Sequence, residues 1–363
     1  MSTVTDRLRG LDARRVELVS LPRQWWGSLP TPARWVVLVV LAALLVALPV
    51  LNPPLLSTPD SDFPTVLFIV GVYCIAALGL NIVVGLAGLL DLGYVGFYAV
   101  GAYSVAVFGS PSSALATHFP WLVCIPIAIA LSMVAGVLLG SPTLRLRGDY
   151  LAIVTLGFGE IVRLTALNSS KLGGAAGITE VPAPPGHHAD GSPVFGVLDA
   201  KPYYWLALVV IFLIVIASRN LERSRVGRAW LAIREDEDAA ELMGVPTFKF
   251  KLWAFAMGAA VGGLAGAVFA GQQGFINPES FQIQLSILFL AAVVVGGAGN
   301  RLGVVVGAVL VAYLPERFRA LAEYRILVFG LALLLMSVFR PQGLLPSKRR
   351  EVELAVRREA VDA

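Results

Sequence analysis

Ten runs of roughly 16 to 23 mostly apolar residues follow one another along the chain, separated by short polar stretches. Each is about the length needed to cross a hydrocarbon layer about 30 Å thick as an α-helix. This pattern predicts an all-α integral membrane protein, a polytopic helical bundle of about ten transmembrane spans, with eight as the lower count. Composition agrees, since 57% of residues are hydrophobic and 14% charged, against about 25% charged in a soluble domain. The unit to count is therefore the span rather than the soluble domain.

The candidate spans cover residues 34–51, 64–86, 93–109, 120–140 and 150–167 in the first half. Those of the second half are 203–218, 251–271, 285–299, 303–318 and 324–340. They make up a membrane domain over 34–340, with a basic extension at 1–33 and a tail at 341–363. The extension carries Arg7, Arg9, Arg14, Arg15 and Arg23, too long a leader for an ordinary signal peptide, so the first run is expected to be an uncleaved anchor. Trp25, Trp26 and Trp35 suit an interfacial aromatic belt there.

The net charge of +4 does not point to nucleic acid, because Lys and Arg sit in separate segments between apolar runs. They read as topology signals: basic loops stay cytoplasmic. The N-terminus, Arg145 with Arg147, the segment 219–251, Arg301, and Lys348, Arg349 and Arg350 all fall on one side of a ten-span chain. The other side takes 53–63, 110–119, 168–202 and 272–284, which hold only Lys171 and Lys201 as Lys or Arg. Both termini are then cytoplasmic. Arg317, Arg319 and Arg325 are exceptions, and a broken or re-entrant ninth segment would accommodate them.

Small residues recur at four-residue spacing: Gly258, Gly262, Gly266 and Ala270, then Gly136 with Gly140, and Gly303 with Gly307. Such rows let helix backbones approach closely where lipid offers no hydrophobic reason to associate. Cys74 and Cys124 lie inside apolar runs and read as buried packing residues.

Glu160 and Arg163 sit within the fifth span, where each charge costs roughly 2.5–3.5 kcal/mol at the bilayer centre. At i, i+3 spacing they either neutralise each other on one helix face or line a polar pathway or gate. Asp91, in a glycine-flanked break, either caps the following helix or marks a half-helix terminus facing the pathway. No metal site or cofactor site is expected. His187 and His188 beside Asp190 lack the spacing of a helix-borne metal pair, and G-G-A-G-N-R-L-G at 296–303 has the wrong spacing for a dinucleotide fingerprint. No G-x-x-x-x-G-K-[ST] occurs, so any ATP chemistry belongs to another chain. Clustered ligands or bases for a membrane enzyme are lacking too.

The inner segment 219–250 is long and charged where other inner loops are short, which suggests a partner. Its centre, from Arg228 through Ala229, Trp230, Ile233, Arg234, Glu235, Ala239 and Ala240 to Met243, reads as one helix stopped by Gly244 and Pro246. Trp230, Ile233, Ala240 and Met243 share a face that small alanines leave able to sit against another protein, so Ile233→Asp or Ala240→Trp is expected to uncouple it. Four consecutive acidic residues argue against adhesion to anionic lipid.

This segment resembles the coupling loop of permeases of bacterial branched-chain amino-acid ABC importers, in particular the second, M-type, permease. Three further stretches resemble the same family: G-L-A-G-L-L-D-L-G-Y-V-G-F-Y-A-V-G-A-Y at 85–103, L-R-G-D-Y-L-A-I-V-T-L-G-F-G-E-I-V-R at 146–163, and A-V-V-V-G-G-A-G-N-R-L-G-V-V at 292–305. The outer stretch K-L-G-G-A-A-G-I-T-E-V-P at 171–182 matches a family T-G-G-x-x-G-I segment except at its start. The resemblance implies a bacterial plasma-membrane importer. It would consist of two different permeases, two ATPase subunits and an external solute-binding protein, with residues 228–244 resting on an ATPase. Related permeases for urea or short amides, and in another class a secondary transporter or channel, are the alternatives.

Overall fold

The computed structural model describes residues 30–54, 62–115, 117–145, 149–187, 193–196 and 199–317, with isolated positions at 56, 324, 327, 330, 331, 334 and 343–345. The extension at 1–33, the tail at 341–363 and the tenth expected span lie wholly or almost wholly outside those residues, as do Arg147, Arg319, Arg325, His188 and Asp190.

The first helix, α1 (Thr31–Leu51), starts on a proline-bearing turn and ends at Asn52 in the left-handed conformation, φ 37°. It belongs, with described residues 30–54, to a unit of its own. The second unit contains α2 (Phe63–Leu80), α3 (Tyr94–Gly109), α4 (Trp121–Thr143), α5 (Asp149–Asn168), α6 (Lys201–Arg223), α7 (Arg225–Glu235), α8 (Glu237–Leu242), α9 (Thr247–Gln273), α10 (Ile283–Gly296) and α11 (Arg301–Arg317). The helices match the expected spans within a few residues at every described position. The ninth, α11, is one continuous helix rather than a broken one. Among the described residues, six helical stretches, Phe63–Leu86, Trp121–Thr143, Tyr150–Asn168, Lys201–Arg223, Thr247–Gln273 and Pro278–Gly296, are long and apolar enough to cross a membrane.

The helix α2 is apolar on every face, and such a helix belongs at the centre; 89% of its span is buried. It continues into a π-helical turn, Asn81–Leu86. Residues 87–93 then run without helix, with Leu89 and Asp91 buried. Protein covers Leu89 and Asp91, whereas Leu90 is 37% exposed.

Packing around α2 is set by α9, which meets α4, α3 and α2 along glycines. A side chain at Gly258 would put its Cβ 2.3 Å from Val83 Cγ2, at Gly262 3.1 Å from Tyr94, and at Gly266 1.9 Å from the Tyr98 carbonyl oxygen. Gly136 faces Ala259 and Phe255 from α4, while Gly303 and Gly307 face Gly296 and Ala292. The outer helices α4, α5 and α6 bury one stripe each and leave Leu138, Ile153, Phe212 and similar residues exposed, as lipid-facing surfaces should. Cys74 and Cys124 are buried free thiols.

Segments assigned to one side by charge meet in space. Ser110 Oγ and Ser112 Oγ donate to Thr179 O at 2.5 and 2.9 Å, and Ile178 pairs with Ile276 in an isolated antiparallel bridge. At the opposite end, Arg301 pairs with Glu222, and Asn300 Nδ2 donates to Leu345 O at 2.9 Å.

Candidate coupling site

At the basic end, α6 stops at Ser224, whose Oγ accepts from Gly227 N at 3.3 Å and caps α7. Asp236 repeats the device: its Oδ1 accepts from Ala239 N at 2.9 Å and starts α8. The single helix expected from Arg228 to Gly244 is therefore two. An aspartate can cap a new helix as readily as continue an old one, and Glu237 and Asp238 in the first turn of α8 favour its positive N-terminal end. The cue was local, an Asp directly before an acidic turn. Gly244, at φ +84°, closes α8, with Val245 N donating to Ala240 O at 3.0 Å.

The break also corrects the expected docking face. Trp230 is 0% exposed, with Nε1 donating to Phe250 O at 2.6 Å; Ile233 and Ala240 are each 5% exposed, whereas Met243 is 85% exposed. Trp230, Ile233 and Ala240 are thus turned against this same chain, and substitutions there test the folding of the segment rather than docking. An apolar helix stripe must be covered, and the start of α9 covers it without a second molecule. What stays open is the far face: Met243 with Leu242 at 88% exposure, together with exposed Arg228, Glu235, Asp236, Asp238, Ala239 and Glu241. Ala229 is half-buried.

Side chains along the segment fasten it to the bundle. Trp230 reaches the Phe250 carbonyl; Glu237 pairs with Lys251, whose side chain is 5% exposed; Glu222 pairs with Arg301; and Arg234 Nη1 donates to Gly85 O in the π-helical turn. Gly299 N donates to Asn81 Oδ1 at 2.8 Å beside it. Glu222, Glu237, Lys251, Gly85 and Gly299 were not singled out from sequence, because their partners lie up to 218 positions away and leave no local trace.

The other candidates lie elsewhere. Asp91 is not the cap of α3: Gly93 occupies that position, and Asp91 Oδ1 accepts from Gly93 N at 2.9 Å. Asp91 is 1% exposed, and its Oδ2 has no hydrogen-bond partner among the described residues. Leu92 N donates to Thr155 Oγ1 at 3.1 Å, fixing this break against α5. Glu160 and Arg163 pair at 2.6 Å, and Arg163 also reaches Glu279 at 3.3 Å. The Glu160 side chain is 38% exposed. Described parts of the stretches 85–103, 146–163 and 292–305 thereby come together: Leu92 of the first joins Thr155 of the second, and Gly85 of the first lies against Gly299 of the third.

The family described as branched-chain amino acid transport system, permease component, matches residues 64–337. The chain is 43% identical over 338 residues to the high-affinity branched-chain amino acid transport system permease protein LivM of Salmonella typhimurium, covering 87% of this chain and 76% of that protein. It is 44% identical over 336 residues to the Escherichia coli protein of the same name, covering 86% and 76%. A probable LivM of Methanocaldococcus jannaschii is 26% identical over 324 residues, covering 77% of this chain and 91% of that one. No solved structure matches.

Proposed function

Because the chain belongs to the branched-chain amino acid transport system permease family, we propose that it is a permease subunit of an ATP-driven importer of leucine, isoleucine or valine. It is a multi-pass membrane protein and supplies a path rather than a catalytic centre. ATP hydrolysis belongs to two separate ATPase subunits, half of the path to a second permease, and solute delivery to an external binding protein. Both termini face the cytoplasm of a bacterial cell, and residues 219–250 form a cytoplasmic coupling loop within the membrane domain at 34–340.

The observation that carries this reading is the anchoring of α7 and α8. Trp230 and Glu237 hold the segment on its own bundle while Leu242 and Met243, two large apolar side chains 88% and 85% exposed, stand out among acidic neighbours. Exposed apolar residues in a polar rim mark an interaction site, here the ATPase. Glu160, Arg163 and Asp91 are assigned to the pathway or its gate.

The test is uptake of labelled leucine by proteoliposomes containing this chain, its ATPases and the second permease, with binding protein outside and ATP inside. Leu242→Asp with Met243→Asp should lower ATPase co-purification at least tenfold while the chain still inserts. Normal uptake by that variant sinks the docking assignment, and carriage of urea or short amides in place of leucine redirects the substrate assignment.

A further inference from the structure

We propose that Arg234 is the positioning residue that carries movement of the coupling segment to the inner end of α2, through its hydrogen bond to Gly85 O; this rests on the permease reading above. Trp230 and Glu237 tie the segment to the start of α9, its neighbour along the chain. Arg234 instead reaches across 149 positions to the π-helical turn that ends the most deeply buried span. A π turn is wider than an α turn and its backbone groups are displaced from the ordinary ladder, a geometry frequent at functional sites. Gly85 lies within that turn and its carbonyl meets the guanidinium.

The surroundings are shaped for the arginine. A Cβ at Gly88 would lie 2.7 Å from Arg234 Cγ, and one at Gly299 would lie 2.9 Å from Arg234 Nη1 and 3.1 Å from Gly85 O. Both glycines have positive φ, +73° and +90°, so a side chain is disfavoured there twice over. Asn81 Oδ1, in the same turn, holds Gly299 N at 2.8 Å. One slot therefore joins α7, the inner end of α2 and the turn between α10 and α11. The guanidinium is a planar fork that stays charged at any accessible pH, which an ammonium does not reproduce.

Because α2 and its π turn run through the bundle as one 24-residue stretch, Phe63–Leu86, that is 89% buried, displacement at Gly85 cannot be absorbed locally in a close-packed interior. Moving Arg234 moves α2 and the α10–α11 turn together.

The test uses the complete complex in proteoliposomes, with this chain at full length carrying Arg234→Lys, Arg234→Gln or Arg234→Ala. The ATPase subunits should co-purify at parental stoichiometry. Leucine carried per ATP hydrolysed should fall at least tenfold for Gln and Ala, and Lys should restore part of it. A parental ratio in Arg234→Gln overturns the proposal, and so does loss of the ATPase subunits, since Arg234 would then serve docking. If neither Gln nor Ala inserts, Lys decides: a ratio several-fold below the parent supports the proposal and an unchanged ratio overturns it. A parental complex that hydrolyses ATP but carries no amino acid overturns the permease reading and this proposal with it.

Discussion

Lys251, in the second turn of α9, lies inside the protein with its side chain only 5% exposed, and Glu237 is the carboxylate that answers it. Removing one partner of a buried pair strands the other charge, at about 3–5 kcal/mol. Glu237 is 28% exposed, so water offsets part of that, and Glu237→Ala should cost about 3 kcal/mol. Adding Lys251→Met removes the stranded charge and should return most of the loss in the thermal stability of the purified chain; equal stability of the single and double variants would show that the unpaired ammonium carries no penalty. Sequence marked the segment but not this pair, since Glu237 read as one of four consecutive acids and Lys251 as the first residue of a span. Neither identity nor spacing says that an ammonium is buried.

Among the elements, α3, α5 and α9 show how one residue type takes opposite roles. Gly266 lies where a Cβ would sit 1.9 Å from a backbone oxygen of α3, and at Gly101 it would sit 2.0 Å from the Gly263 carbonyl oxygen of α9. Backbone cannot swing aside as a side chain can, so Gly266→Val must part the helices and should cost about 2–3 kcal/mol. Gly157 on α5 has nothing within 4 Å, and Gly157→Ala should stabilise the isolated chain by roughly 0.5–1 kcal/mol through helix propensity. Melting curves of the two variants separate these cases, and equal shifts in one direction would refute the packing account. The glycine rows were legible in the sequence because four-residue spacing fixes a helix face. Which helix each row meets was not. The split of the coupling segment at Asp236 was legible in principle from its capping residue, but an unbroken run of helix formers outweighed it.

At the scale of the whole molecule, α5 presents Glu160 and Arg163, tied to Glu279, on a face that this chain leaves partly open. Two carboxylates and one guanidinium leave one negative charge in excess, and such a group inside a span belongs against protein or water rather than lipid. A path shared with the proposed second permease would meet that need. Glu160→Gln should preserve assembly while reducing uptake at least tenfold; unchanged uptake with normal assembly would remove Glu160 from the path. The sequence by itself determined the helical membrane class and, for the described spans, limits within a few residues of the helices observed, because apolar length acts locally and additively. Only the tertiary structure decided that Trp230, Ile233 and Ala240 turn inward, that Leu242 and Met243 turn out, and that Arg234 ends on Gly85. An amphipathic stripe requires a cover without naming it, and contacts between residues 149 positions apart leave no periodic mark on the chain.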